Sequence, residues 1–124
     1  MSRILQLQHA SLIVADVTRA LHFYVDVLGL ELDQTRPAMT FNGAWLKVGP
    51  QQIHLLELPN PDPVSGRPPH PGRDRHTALL VSGLDELIKR LESAGVGVKR
   101  SSSGRGAVFC RDPDGNAIEL VDAG

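Results

Sequence analysis

The sequence predicts an α+β fold made of two copies of one strand–helix–three-strand unit. The first observation is an internal repeat, in which the segment HASLIVAD, beginning at His9, is matched by HTALLVSG, beginning at His76. The second is that the tripeptide IHL centred on His54 is matched by IEL centred on Glu119. The third is that each half passes from strand-like alternation of apolar residues to helical spacing and then back again.

In the first copy, apolar and polar residues alternate within residues 4–14, which predicts a strand. Asp16 is a good N-cap for a helix that follows, and the helical spacing of apolar residues ends before Gly29. Arg36-Pro37 and Gly49-Pro50 read as turns. They separate three further strands, predicted at residues 30–36, 40–48 and 51–58.

The second copy repeats this order. A strand is predicted over residues 75–81, and Ser82 to Asp85 resembles a capping box at the start of a helix that stops at Gly95. The sequence RDPDGN at residues 111–116 is a strong turn signal. The three remaining strands are predicted near residues 96–101, 106–111 and 116–122.

We interpret the chain as a single domain, residues 1–124, in which module one (4–58) and module two (73–124) are joined by a proline-rich connector (59–72). Six of the fourteen connector residues are proline, so a regular element is not expected there and a stiff linker is the simplest interpretation. A long loop in a compact domain can also be functional. The alternative is a basic entrance that holds an anionic substrate through Arg67, His70, Arg73 and Arg75.

Composition excludes several classes of function. A net charge of −1 and five aromatic residues in 124 give no basis for nucleic-acid binding. No apolar run approaches the roughly 20 residues that span a bilayer, and the N-terminus has no long apolar signal segment. Cys110 is the one cysteine, so no internal disulfide can form. We therefore expect a soluble cytoplasmic protein with no membrane partner.

Two segments, LQHASLIVADVTRALHFYVDVLGLEL and FCRDPDGNAIELVD, resemble the vicinal oxygen chelate superfamily. This superfamily includes glyoxalase I, fosfomycin- and bleomycin-resistance proteins, methylmalonyl-CoA epimerase and extradiol dioxygenases. The resemblance covers essentially the whole chain. It implies two βαβββ modules that form an open, curled mixed sheet around one divalent metal ion, which is the glyoxalase-like fold.

Carried over by position, the resemblance implies metal ligands at His9, His54, His76 and Glu119. One departure concerns the last strand of module one, where glyoxalase I usually has glutamate and this chain has His54. Glu57 cannot easily replace that glutamate, because an offset of three residues along a strand points its side chain to the opposite face. The ligand set suits Zn²⁺, Ni²⁺, Fe²⁺, Mn²⁺ or Co²⁺ without choosing among them.

The resemblance implies a metal-dependent, glyoxalase-like lyase or isomerase that stabilises an enolate or enediolate of a small oxygenated substrate, with Glu119 as the catalytic base. The alternatives are a ring-cleaving extradiol dioxygenase, epoxide opening of the fosfomycin-resistance kind, and a non-catalytic binding protein of the bleomycin-resistance kind. For the dioxygenase, the metal would be Fe²⁺ held by His9, His76 and Glu119. Retention of all four ligands argues against the binding protein.

The predicted partner is a small-molecule substrate, contacted by Arg67, His70, Arg75 and Trp45. A homodimer is also predicted, because a curled sheet of this size exposes a large apolar face. If the chains exchange modules, one chain supplies His9 and His54 while the other supplies His76 and Glu119. Pairing of both modules within one chain is the alternative.

Overall fold

A computed structural model describes all residues from 1 to 124 and confirms the α+β fold. The helices are α1 (Val17–Leu21), which continues as a π-helical segment (His22–Val27), and α2 (Leu84–Ser93); a 3-10 turn covers Pro71–Arg73. The strands are β1 (His9–Val14), β2 (Glu31–Asp33), β3 (Gly43–Val48), β4 (Gln51–Glu57), β5 (His76–Val81), β6 (Lys99–Arg100), β7 (Ala107–Arg111) and β8 (Ala117–Asp122).

The strands form two open, mixed, four-stranded sheets with equivalent topology. The order is β1-β4-β3-β2 in the first sheet and β5-β8-β7-β6 in the second. In each sheet the first strand of the half is parallel to the last, and the other pairs are antiparallel. The two copies of the sequence repeat therefore have the same strand order. The two sheets are separate, because β1 and β5 do not pair with each other.

Alternation along the strands decides which side chains enter the core. In β4, Ile53 and Leu55 are each only 1% exposed and pack with residues of the two helices, whereas His54 between them points to the other side. The same pattern places Glu119 between Ile118 and Leu120 in β8. We call the side of each sheet that faces away from this core its open face.

The first helix starts as the sequence predicts and then widens. The Asp16 side chain accepts a hydrogen bond from the Arg19 backbone N–H at 3.1 Å, as expected of an N-cap. Further on, the Leu28 N–H donates to the Phe23 carbonyl, five residues back, at 2.9 Å. This wider turn brings both Phe23 and Tyr24 into the core, and Gly29, at φ 83°, then ends the helix.

The predicted starts of α2 and of the first strand were wrong. The capping box at Ser82 does not form, because the N-cap position falls on Gly83, which adopts φ 71° and offers no side chain. The first strand does not begin near residue 4, since β1 starts at His9 and residues 1–8 have no regular structure. The ladder between β1 and β4 begins at His9, which pairs with Gln52, and beyond it the Gln52 N–H still donates to the Gln8 carbonyl at 3.3 Å.

The turn at residues 112–116 links the two halves along a seam, the region where the edges of β1 and β5 lie beside one another. The Tyr24 hydroxyl donates to the buried Asp112 carboxylate at 2.7 Å, and the Asn116 amide donates to the Ile13 carbonyl at 3.0 Å. Asp114 accepts from the Ala15 backbone N–H at 3.0 Å. These bonds fix module one against module two within the chain.

Neither helix has the length and apolar character needed to cross a membrane.

Candidate metal centre

The four predicted metal ligands all lie on the open faces of the sheets. His9 is the first residue of β1 and His54 lies within β4, the adjacent parallel strand. His76 is the first residue of β5, and Glu119 lies within β8, its parallel neighbour. The duplicated topology therefore places one pair of candidate ligands on each sheet.

The first pair is a stack of aromatic rings. The His9 and His54 ring centroids are 3.9 Å apart, and the Trp45 ring covers the other side of His54 at 4.4 Å with an interplanar angle of 5°. Trp45 is the direct cross-strand neighbour of His54, so the register of β3 and β4 creates this contact. Trp45, predicted to contact substrate, forms an apolar wall beside the pair.

The surroundings of the His54 imidazole disfavour its protonated form. Burial lowers its pKa below the ordinary value of 6.5, and the nearby charge of His9 lowers it further. Gln52 donates its amide N–H to Asp33 at 2.7 Å, which turns its Oε1 towards His54 Nε2 at 2.8 Å. Because Nε2 must then donate its proton to Gln52, the lone pair of the ring is on Nδ1 and is free to bind a cation.

The second pair is a contact between an imidazole and a buried carboxylate. His76 Nε2 lies 3.1 Å from Glu119 Oε1, and the Glu119 side chain is only 4% exposed. On its other side, His76 Nδ1 donates to the backbone carbonyl of Asp74 at 2.8 Å. That hydrogen bond fixes the orientation of the ring, so Nε2 points at the Glu119 carboxylate and the two groups are close enough to share a cation.

Arg105 is a functional candidate that the sequence did not reveal. Its Nη2 lies 2.5 Å from Glu119 Oε2, although 59% of the Arg105 side chain is exposed. Arg105 belongs to the loop between β6 and β7, which is rich in serine and glycine. An arginine in such a loop usually faces solvent, and no repeated motif pointed to this contact.

Arg67 and Arg75 lie away from the Glu119 carboxylate. Arg67 donates two hydrogen bonds to Asp74, at 2.9 and 2.6 Å, while Arg75 pairs with Asp62 at 2.6 Å. Both arginines line a cavity of about 320 Å³ at the seam rather than the surroundings of Glu119. The hydrogen bond from Arg67, with another from Arg111, holds the pKa of Asp74 well below its ordinary range, so this ion-pair cluster anchors the connector.

His70 is the predicted substrate residue that lies nearest the second pair. It lines a pocket that also contains His76 and Glu119. Its Nδ1 accepts the Gly72 N–H, and its Nε2 donates to the Arg100 carbonyl, both at 3.0 Å. Since both ring nitrogens are engaged by backbone groups, His70 forms the wall of the pocket in this structure.

Within one chain, the candidate ligands make two pairs and not one cluster. No group of three or more histidine, cysteine, aspartate or glutamate side chains is placed to hold a metal ion. The donor set nevertheless fits a divalent metal, because His54 and His76 provide ring nitrogens on the open faces and Glu119 provides a buried carboxylate. Each sheet supplies half of such a set.

Comparison with known proteins identifies the class to which this fold and these ligands belong. The model of the glyoxalase/bleomycin resistance protein/dioxygenase superfamily matches residues 6–120. The chain therefore belongs to that superfamily, as its sequence motifs indicated.

Relatives with different activities align along most of the chain. It is 31% identical to a lactoylglutathione lyase of Salmonella typhimurium, with 96% of this chain and 93% of that protein covered. It is 33% identical to the glutathione transferase FosA of Serratia marcescens, with 92% and 78% covered. These relatives support a function of the glyoxalase superfamily.

A solved structure confirms the fold. A mutant of the fosfomycin resistance protein FosX from Listeria monocytogenes, in complex with Mn(II) and a dihydroxypropylphosphonic acid, matches with a TM-score of 0.77. The match covers 98% of this chain and 95% of that chain at 19% identity.

Proposed function

We propose that the protein is a metal-dependent lyase or isomerase of the glyoxalase kind, acting on a small oxygenated molecule. The observation that carries this proposal is the buried Glu119 carboxylate that lies 3.1 Å from His76 Nε2 on an open sheet face. The lactoylglutathione lyase relative supports the reaction class. Metal use is supported by the Mn(II) in the FosX structure, which has the same fold.

The residues that would hold the metal are His9, His54, His76 and Glu119, with each chain of a homodimer giving one pair to each centre. A divalent cation there would supply Lewis-acid stabilisation of the negative charge that develops on a substrate oxygen. Zn²⁺, Ni²⁺, Fe²⁺, Mn²⁺ and Co²⁺ all suit three imidazoles and one carboxylate.

Two observations support the contribution of a second chain. The pairs lie on separate sheets of one chain, so a centre with four ligands is incomplete without another open face. Apolar side chains are also left uncovered: Leu80, on the open face of β5, is 76% exposed, and Ile4 and Leu5 in the N-terminal segment are 99% and 82% exposed. A second copy that covers such surface would complete the centre at the same time.

In the proposed reaction, Glu119 acts as the base. Its carboxylate takes a proton from the hydroxyl-bearing carbon next to a substrate carbonyl and returns it to the carbonyl carbon, while the hydroxyl proton passes to the former carbonyl oxygen, so that the step is an isomerisation. Burial of the Glu119 side chain beside His76 fixes the position of the carboxylate and keeps bulk water from it. Trp45 provides an apolar wall for the substrate.

Nucleophilic opening of an epoxide is the second candidate. The FosA relative supports it, and the cationic Arg105 beside Glu119 favours a substrate with an anionic group. In that reaction no proton has to leave carbon, so Glu119 would serve only as a ligand. The two candidates therefore differ in the role of the same carboxylate.

The test begins with the metal content of protein purified without chelator. Protein loaded with Ni²⁺, Zn²⁺ or Mn²⁺ is then assayed with methylglyoxal and glutathione under nitrogen, with fosfomycin and thiols, and with catechols in an oxygen electrode. We expect the protein to turn over methylglyoxal and glutathione under nitrogen, and we expect no oxygen uptake with catechols. Oxygen uptake with catechols would instead establish the dioxygenase.

Glu119→Gln is the decisive variant. We expect it to lower kcat by about 100-fold or more, because it removes both the proposed base and one of the proposed metal ligands. Glu57→Gln is the matched control: Glu57 lies on the opposite face of β4, where it accepts the Val17 N–H at 2.9 Å. Equal activity of the two variants, or no metal uptake by the wild type, would contradict the proposed function.

A further inference from the structure

We infer that the pocket beside Glu119 binds an oxyanion group of the substrate, a carboxylate or a phosphonate, and that Arg105 is the residue that binds it. The inference rests on the proposed function, since it concerns the same centre. The pocket has a volume of about 300 Å³ and is here called the serine pocket. Its lining includes Ser101, Ser102, Ser103, Arg73, Arg105 and Phe109.

The lining of the serine pocket has an excess of positive charge. It contains two guanidinium groups, those of Arg73 and Arg105, against one carboxylate, that of Glu119. Three serine hydroxyls add neutral donors, and Phe109 is the one large apolar residue. Guanidinium and hydroxyl donors around a small cavity suit a carboxylate or phosphonate, which accepts several charge-assisted hydrogen bonds at once.

In this structure Arg105 forms an ion pair with Glu119, the carboxylate that is also a proposed metal ligand. Its guanidinium lies 2.5 Å from Glu119 Oε2, while Oε1 of the same carboxylate faces His76. A divalent cation held by His76 and Glu119 would neutralise the carboxylate and repel the guanidinium at such short range. Metal binding would therefore release Arg105 from Glu119.

The loop that carries Arg105 allows this release. The Arg105 side chain is more than half exposed, and the preceding Gly104 has φ 78°, so no core contact has to break when the side chain turns. The nearby hydroxyls of Ser101 and Ser103 lie 2.7 Å apart and bond to each other, so they would exchange this local contact for a hydrogen bond to an incoming anion. The freed guanidinium would then find its new partner in the substrate.

Phe109 and His70 fix the other side of the serine pocket. The Phe109 ring contacts His70 and His76 edge-on, each with centroids 5.2 Å apart. His70 is fixed by the backbone of Gly72 and Arg100. An oxyanion in the pocket would thus lie close to the candidate ligands His76 and Glu119 without competing for them.

The test measures binding and does not depend on activity. Ni²⁺ is titrated calorimetrically into the metal-free full-length protein, and methylphosphonate or propionate is then titrated into the nickel-loaded form. Four proteins are compared: the wild type, Arg105→Ala, Arg105→Lys and Arg75→Ala. Arg75 is the control because it is an exposed arginine paired with Asp62, away from the serine pocket.

We expect Arg105→Ala to bind Ni²⁺ about threefold more tightly, since a competing ion pair is lost. Its nickel-loaded form should bind the preferred anion roughly tenfold more weakly, as expected for loss of a charged hydrogen bond. Arg105→Lys should be intermediate, and Arg75→Ala should match the wild type. Comparing the affinities for propionate and methylphosphonate shows whether the serine pocket prefers a carboxylate or a phosphonate.

The outcomes separate this inference from the proposed function. Normal Ni²⁺ uptake with unchanged anion affinity in Arg105→Ala overturns the inference alone. An equal loss of anion affinity in Arg75→Ala also overturns it, because the effect would then come from general charge. Absence of Ni²⁺ uptake by all four proteins overturns the proposed function and the inference together.

Discussion

His54 shows how neighbouring residues set the chemistry of one side chain. It lies between the rings of His9 and Trp45, and Gln52 binds its Nε2. Burial then makes protonation unfavourable, which keeps a lone pair available. A histidine on a solvated strand would be partly protonated near pH 6, and a metal would have to displace that proton.

The same burial predicts how stability depends on pH. Because folding lowers the pKa of His54, the unfolded chain takes up a proton first as the pH falls below 6.5. The metal-free protein should therefore lose stability from about pH 6.5 down to the lower pKa of the folded state, with no further loss from this residue below it. Urea unfolding in the presence of a chelator, from pH 8 to pH 5, measures the effect.

His54→Gln should flatten this part of the profile. His22→Gln serves as the comparison, because His22 is exposed on the first helix and pairs only with Asp26. The explanation fails if the two substitutions flatten the profile equally, or if wild-type stability is constant over this range.

At the residue scale, the sequence identified candidate ligands but not their surroundings. The repeat marked His76 and Glu119, because equivalent positions carried residues able to bind metal. It could not reveal Arg105, whose side chain reaches a carboxylate fourteen positions away through a contact that depends on the loop conformation. It predicted that Arg67 contacts the substrate, and it could not reveal that this residue also forms an ion pair with Asp74.

At the scale of elements, the first helix and the turn at residues 112–116 depend on one another. The Tyr24 hydroxyl donates to Asp112 Oδ2, which also accepts the Asn116 side chain at 2.8 Å, while Oδ1 accepts two backbone N–H groups. Burial raises the pKa of the Asp112 carboxyl despite these bonds, so each donor offsets part of a desolvation cost. The π-helical widening is what directs Tyr24 to this turn.

Tyr24→Phe tests the importance of this contact. The substitution removes one hydrogen-bond donor from a buried carboxylate and keeps the ring, so we expect the free energy of unfolding to fall by about 1–2 kcal/mol. Urea denaturation at pH 7 provides the measurement. In a double-mutant cycle, Asp112→Asn should couple to Tyr24→Phe, and strictly additive effects would show that the hydrogen bond adds nothing.

The boundaries of a helix or strand were predictable where the pattern of its own residues and the adjoining turn residues set them. The strand with His54 and the strand with Glu119 were predicted to within one residue of each end, because both alternate and each follows a strong turn signal. The shorter strands were predicted too long, since β2 and β6 extend only as far as β3 and β7 pair with them. The start of α2 was mispredicted because Gly83 takes the position expected of Ser82.

At the scale of the whole molecule, the arrangement of ligands predicts a dimer that shares its centres. A chain with His54→Ala keeps an intact second pair, and a chain with Glu119→Gln keeps an intact first pair. Alone, each variant should fail to build a complete centre. If the centres form between chains, a mixed dimer has one centre built from the two intact pairs, one from each variant chain. Its other centre is built from the two altered pairs.

Co-expression with two different affinity tags isolates the mixed dimer for this test. Metal bound per dimer should recover to about half of the wild-type value, because only one of the two composite centres is intact. Each variant purified alone should bind little metal and serves as the baseline. No recovery in the mixed dimer would show that both pairs come from a single chain.

The overall architecture was the most predictable level. Duplication implied two equivalent units, and the motifs around His9 and Asp112 pointed to the family that the comparison confirmed. The sequence could not decide whether one chain or two would complete the centre. That choice depends on how the seam orients the two sheets, and the seam bonds between Asn116 and Ile13 and between Asp114 and Ala15 have no periodic signature.

The lengths of the edge strands bear on the behaviour of the protein at high concentration. An exposed edge invites intermolecular β-pairing and aggregation in proportion to its length and flatness. The long edges, β1 and β5, flank the seam cavity, where connector residues cover them. The outward edges are β2 and β6, with three and two residues, and the latter is Lys99-Arg100. Concentrated solutions of the folded chain should thus resist fibril growth, because little backbone is left for another strand to join.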